Sequence, residues 1–332
     1  MPKKPLQEGL ILAGDALRKL PALKPLSPVQ IRMIEASGEI REERPEEIAY
    51  QHSVLCQTSL PYRSTPERRW EAQNGNVMLL VQAGEAFDPT KKQWIKLPLP
   101  FGPKARLILM YLNSQAIRMQ SPVIDVEDSM TAFLRVVQNG RDPNGDEIQK
   151  FKQQLSSLAR AKISMAHAGG IETADAMSAP QGDLGIVKFI DLWFPKNPNQ
   201  RVLWPGTLEL TKDYFDDLSK HAVPLDPRAI AALSHSAMAL DIYAWLTQRL
   251  WRVSANRPYK VTWVNLHQQF GHGYKLIRQF RAAFLKTLRD VQTQYPDARL
   301  EADEGGLWLK QSPPPIRKKL AQINSPQSTG TL

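Results

Sequence analysis

Lys275, Arg278, Gln279, Lys286 and Arg289 recur along residues 274–295, YKLIRQFRAAFLKTLRDVQTQY, with Arg281 on their flank. Ammonium and guanidinium groups neutralise phosphates. Arg and Gln can also form paired hydrogen bonds with guanine and adenine edges. Such a row suits a helix laid in a groove of duplex DNA. Leu276, Ile277, Phe280, Phe284, Leu288 and Val291 recur at three- and four-residue steps in the same stretch. They predict one amphipathic helix with an apolar stripe opposite the cations. Taken alone, the pattern also fits a core-packed helix with a solvated face.

The charge balance favours a polyanionic partner. The formal net charge is +10, and the excess is concentrated near this helix. Residues 257–290 hold seven basic residues and one acidic one, whereas residues 35–47 hold six acidic and two basic. Arg257 and Lys260, just upstream, are candidate backbone clamps. Lys150, Gln153 and Arg160 sit at helical spacing on the outer side of residues 145–160 and are candidates for a second contact. Lys275, Arg278 and Gln279 are the candidates for base edges; Lys286 and Arg289 suit phosphate.

Other chemistries find less support. His52, His167, His221, His235, His267 and His272 make no HxH or HExxH spacing. His267 and His272 flank a helix end and read as structural or phosphate-facing. The glycines from Gly9 to Gly14 are followed by Asp15, where a phosphate loop needs Lys. Asp216, Asp217, Glu301, Asp303 and Glu304 read as solvated faces. Cys56 lies in an apolar setting and reads as core. Together these predict no catalytic residue, no metal and no cofactor. One cysteine allows no internal disulfide and fits a reducing cytoplasm. No apolar run approaches a membrane span, and Asp15, Arg18 and Lys19 break up the apolar stretch that could pass for a signal peptide.

The elements that must position these side chains come in a repeated order. Residues 1–48 read as a loosely packed arm with an acidic linker, its second helix opened by Ser27-Pro28 and running to about Ser37. Residues 49–100 read as a β-hairpin extension, with turns at Asn74-Gly75 and Thr90-Lys91-Lys92. In residues 101–212 the order is helix, short strand, helix, helix, strand, polar tip and strand. The second helix starts near Asp128, the tip spans 169–182, and residues 185–194 return as the strand beside 162–167. In residues 213–311 a short helix precedes a long helix from Pro227 to about Trp251. Then come a short strand, two helices and two strands around DEGG. Residues 312–332 read as a disordered tail. The expected fold is therefore α+β: two tandem winged-helix domains with an N-terminal β-rich extension, each domain placing its third helix in a major groove.

The segments LCQTSLPYRS, WEAQNGNVMLLVQAG, residues 99–137 and SSLARAKISM resemble the RepA-type plasmid replication initiators. The similarity runs from about Leu55 to Lys310. Its most specific part has Phe101, Gly102, Pro103, Lys104 and Arg106, then an apolar helix ending in Ala116, Arg118 and Ser121, then Ser129 to Leu134. The resemblance implies binding to repeated duplex sites (iterons) at a plasmid origin, help in melting it, and contact with a host initiator and the replicative helicase. It also implies passage between monomer and homodimer, and autoregulation. A transcriptional regulator of the same fold is the alternative.

Overall fold

A computed structural model describes residues 25–89, 91–126, 132, 134–135, 142–167, 172–173, 176–177, 181–183, 185–190 and 207–316. The expected helix near Leu10, most of the helix after Asp128, most of the 169–182 tip and the tail from 317 lie outside those residues. The fold is mixed α+β, with several small antiparallel sheets. Among the described residues, no helix is long and apolar enough to cross a membrane.

Helix α1 (Pro28–Glu42) begins at Ser27, whose hydroxyl accepts from the Gln30 N–H while the Gln30 side chain reaches back. It runs past the expected end near Ser37, because Arg228 donates to the carbonyls of Glu39 and Glu43 and so satisfies the last turn. The acidic run is thus partly helix, and the described part of the arm, residues 25–48, is anchored rather than loose. Gln294 also donates to the Met33 carbonyl, and Met33 and Ala36 pack on Ala232.

Strand β1 (Ala49–His52) and helix α2 (Ser53–Gln57) follow. β2 (Arg69–Asn74) and β3 (Val77–Gln82) form the expected hairpin, with Gly75 at φ +55° in its two-residue turn. β4 (Glu85–Asp88) and β5 (Gln93–Lys96) form a second hairpin. α3 (Gly102–Met119) has proline in its first turn and ends at Gln120, φ +50°. β6 (Val123–Asp125) precedes α4 (Gly145–Arg160), which starts from a reciprocal cap between Asn144 and Glu147. Then come β7 (Lys162–His167), β8 (Glu172–Thr173), β9 (Ala176–Met177), β10 (Gln181–Asp183), β11 (Val187–Ile190) and β12 (Thr207–Leu210).

Strand pairing departs from expectation in this half. β7 is bonded to β3 on one edge and β10 on the other, giving the order β10-β7-β3-β2. No edge remains for residues 185–194. β11 instead pairs with β12, and β12 with β6.

α5 (Lys212–His221) leads to β13 (Ala222–Leu225), which pairs with β1. The long helix expected from Pro227 is two: α6 (Pro227–Leu233) and α7 (Ala237–Arg249). Ser236 breaks it by accepting from the Ala239 N–H as a new cap, and Ser234 turns its hydroxyl to the Ala231 carbonyl. After a 3-10 turn (Leu250–Arg252) come β14 (Tyr259–Thr262), α8 (Trp263–Phe270), α9 (Ile277–Gln294), β15 (Leu300–Ala302) and β16 (Gly306–Leu309). The last sheet has the order β14-β16-β15. Residues 312–316, assigned to the tail, are packed: Tyr295 donates to the Pro313 carbonyl, and Ser312 and Ile316 are buried.

One hydrophobic core runs through both halves, including Leu107 and Leu112 of α3, Leu240 and Leu246 of α7, and Phe280 and Phe284 of α9. Within it Arg106 meets Asp241, Nε to Oδ1 at 2.5 Å and Nη2 to Oδ2 at 2.8 Å. The remaining guanidinium N–H groups donate to the carbonyls of Leu60, Pro61 and Gly102. Removing one partner of such a pair strands the other charge in the core. Asp241→Ala should therefore cost about 3–5 kcal/mol in urea unfolding. The apolar double replacement Arg106→Met with Asp241→Leu should recover part of this, leaving the Leu60 carbonyl without its guanidinium donor.

Candidate nucleic-acid interface

The cationic helix begins later than its hydrophobic pattern suggests. Residues 274–276 form a turn, not helix. His267 Nε2 lies 2.8 Å from the Tyr274 carbonyl, and the Tyr274 N–H donates to Gly271. Gly273 adopts φ +91° there, a conformation suited to glycine. Leu276 and Ile277 consequently leave the apolar stripe and are 53% and 42% exposed. The stripe that does face inward is Phe280, Phe284, Leu288 and Val291. Phe280 packs against His267 and Tyr274, and Phe284 against Trp263 and Phe270. This aromatic bed fixes the roll of α9, and so fixes which residues point away.

Arg278, Gln279, Lys286 and Arg289 are exposed on α9, and Lys275 on the turn before it. Among the described residues none of these four cations has an ion-pair partner. Exposed Ala282 lies between Arg278 and Lys286 and keeps the centre of the row low. From Arg278 to Arg289 the row spans roughly 17 Å of helix axis at the α-helical rise.

Two other predicted cations are engaged within the fold. Lys260 Nζ lies 2.7 Å from Asp303 Oδ2 and over the Trp308 ring. Arg281 stacks on Trp263 and donates to the Asp303 carbonyl at 3.2 Å. Asp303 also accepts from Trp308 Nε1 and the N–H groups of Gly305 and Gly306. The Lys260 ammonium, then the Trp308 and backbone N–H groups, hold its carboxyl well below the usual range. Asp303 thus organises the β15–β16 turn and ties it to α9. It was assigned to a solvated face, and no local spacing connects it to residues 22 and 43 positions away.

Arg257 is exposed in the turn before β14. In the first half, Lys150 and Gln153 are exposed on α4, while Arg160 at its end donates to the Glu85 carbonyl. Sequence reasoning passed over two cation–aromatic pairs near Arg257: half-buried Arg249 over exposed Tyr259, and exposed Arg252 over Trp251. The sequence 249–260 already showed that alternation of Arg, Trp and Tyr.

Residues 99–265 match the family described as "Plasmid encoded RepA protein". The chain belongs to this RepA C-terminal family of plasmid-encoded replication proteins. The matched region runs from just before α3 into the first turn of α8 and stops before α9. No curated protein matches the sequence. Two solved structures are similar in shape: a crystal structure of RctB domains 2-3, residues 155-483, and a selenomethionine form of the same two domains. The first has TM-score 0.46, 10% identity, and covers 77% of this chain and 94% of that one. The second has TM-score 0.47, 9% identity, and covers 76% and 92%.

The histidines around α9 are structural. His267 serves the turn described above. His272 packs edge-on against Trp70 at 4.5 Å, and among the described residues its buried Nε2 has no hydrogen-bond partner. Burial, then the nearby Arg106 charge, push its pKa from 6.5 down to about 4. Cys56 is buried, and burial pushes its thiol up, away from thiolate chemistry. The unfolded chain protonates His272 near its ordinary value, and the folded chain only near 4. Between those values the unfolded state binds more protons, so stability falls as pH drops from 6.5 to about 4. His272→Leu should flatten this part of the melting-temperature profile, measured by circular dichroism across that window.

Proposed function

We propose that this protein is a cytoplasmic plasmid replication initiator that reads double-stranded repeats at the plasmid origin through two winged-helix units. The observation that carries the reading is the unpaired row of Lys275, Arg278, Gln279, Lys286 and Arg289. Apart from Lys275, just before the helix, it lies on one side of a helix whose other side is locked to the core. A row of cations that has no ion-pair partner among the described residues is matched by phosphate. Membership of the RepA family supports origin DNA as the source of that phosphate.

The second unit, proposed as residues 213–311, has the required succession of α7, β14, α8, α9, β15 and β16. Its sheet order puts the last strand between the other two. In it α9 is the recognition helix. Arg278, Gln279 and Lys275 meet base edges, Lys286 and Arg289 meet phosphate, and Arg257 grips the flanking backbone. Lys260 and Arg281 act one step back, by holding the wing turn through Asp303. The first unit, proposed as residues 101–212, presents α4 with Lys150, Gln153 and Arg160. Its strands are shared with the extension 49–100, so it is the less regular of the two. The arm (1–48) and tail (312–332) complete the division. Bound repeats would be melted nearby and handed to a host initiator and the replicative helicase, with a homodimeric form available for autoregulation.

Arg278→Ala should weaken binding to the origin repeat by about 1–3 kcal/mol and relax specificity at one base pair, while barely changing affinity for random duplex. Lys286→Ala should weaken both alike and lower the slope of log K against log salt by about one. Fluorescence anisotropy on repeat and scrambled duplexes separates the two. A plasmid carrying only this gene and its flanking repeats should replicate. A regulator of the same fold would bind the repeats without sustaining it.

A further inference from the structure

The β4–β5 hairpin belongs to none of the surfaces above. Its register pairs Phe87 with Trp94 and Ala86 with Ile95. Ala86 is buried and Ile95 half-buried, so that face is turned inward. The opposite face carries Phe87 and Trp94, edge to face at 5.7 Å, and they are 47% and 62% exposed. Lys92 and Lys96 lie two residues either side of Trp94, and both are exposed. Among the described residues neither is in an ion pair. Of the acids of the hairpin, one is turned inward and the other, Glu85, stays exposed across the strand from Lys96. Asp88 is buried and accepts from the Lys91 N–H, and Glu85 lies 3.9 Å from Arg68.

The root of this hairpin is clamped. The Arg68 guanidinium donates to the carbonyls of Ala83, Gly84 and Leu97, and Arg160 donates to that of Glu85. At Gly84 the backbone of α4 comes so close that a Cβ would overlap the Arg160 carbonyl. The aromatic pair is therefore held out on a rigid support at the end of α4, without loose loop residues at its root.

We infer that this hairpin is a second nucleic-acid contact, and that its ligand is an unpaired strand. Paired bases bury their faces in the stack, whereas an unpaired base offers one to an exposed indole. Lysines on both sides of the ring supply the charge that the phosphates require. An acidic peptide would satisfy the lysines but leave the aromatic faces without a planar partner. The site is distinct from the α9 row and does not depend on the reading of that row.

The full-length protein should bind a fluorescein-labelled oligothymidylate, followed by anisotropy. Trp94→Ala should weaken that binding by about 5- to 150-fold, the range for loss of one stacked base. Trp94→Phe should restore most of it. Lys92→Ala and Lys96→Ala should weaken it and flatten its salt dependence. Repeat duplex affinity should stay unchanged in all four. Arg278→Ala should leave oligothymidylate binding intact, so the two sites fail separately. Phe87→Leu provides a second arm at the same face. Unchanged oligothymidylate affinity in both Trp94→Ala and Phe87→Leu overturns the proposal. So does equal loss of duplex and single strand in Trp94→Ala, or an effect of these variants on melting temperature alone, which would make the pair a cross-strand brace.

Discussion

Arg106 and Asp241 hold the two halves of the chain in one body. Two charges taken out of water cost several kcal/mol each, and only near-complete pairing offsets this. Here the guanidinium directs donors at both carboxylate oxygens and at three carbonyls, and its plane lies against the Tyr62 ring. Burial pushes the Asp241 carboxyl up and the Arg106 charge pulls it back, so the pair stands only while α3 and α7 stay in contact. Around it, β1 pairs with β13, Gln269 donates to the Gln57 carbonyl, and Ser59 donates to the Gln269 carbonyl. The extension 49–100 is therefore shared between the halves. Independent motion of two beads on a string would have to break a buried ion pair first.

That rigidity bears on the cations. α9 is rolled by its aromatic bed, and its turn is pinned by His267 and Gly273. A cation on a floppy support loses side-chain and backbone freedom when it meets an anion, while one on a fixed helix loses only its own rotamers. Fixed supports under Arg278, Lys286 and Arg289 leave most of the Coulomb gain for the partner. Asp303 sharpens the distinction by absorbing Lys260 and Arg281 into the fold. The basic count of residues 257–290 thus overstates the charge free to bind, and the partition follows from one acidic turn.

Legibility in the sequence tracked the range of the interactions involved. α4 was readable to the residue because its cap, Asn144 with Glu147, and its apolar spacing are local. Pro103 in the first turn of α3 and the Gly75 hairpin were readable for the same reason. The start of α9 was misplaced because Tyr274 to Leu276 match the helical period but are held outside the helix by the contact of His267 with the Tyr274 carbonyl. Strand partners were not readable: β7 has two candidate neighbours, and only the three-dimensional occupancy of its edges sends residues 187–190 to β12. The missed hairpin cluster had a local signal, aromatic and lysine residues alternating in FDPTKKQWIK. Its meaning required knowing which face is buried.

The same logic separates a cation that builds the fold from one that serves a ligand. Arg68, Arg106, Arg228 and Arg281 each donate to backbone carbonyls. Arg suits this because its planar fork can hold several acceptors at once. Lys92, Lys96, Lys275 and Lys286 make no such contacts among the described residues. Their ammonium groups stay hydrated and exposed, ready to exchange water and counterions for phosphate. The division runs largely by residue type. Arg278 and Arg289 break it: they have the geometry for carbonyls or base edges and, among the described residues, are given no carbonyls. An arginine kept from structural work on an outward helix face is the local feature on which the proposal that α9 reads sequence as well as charge rests.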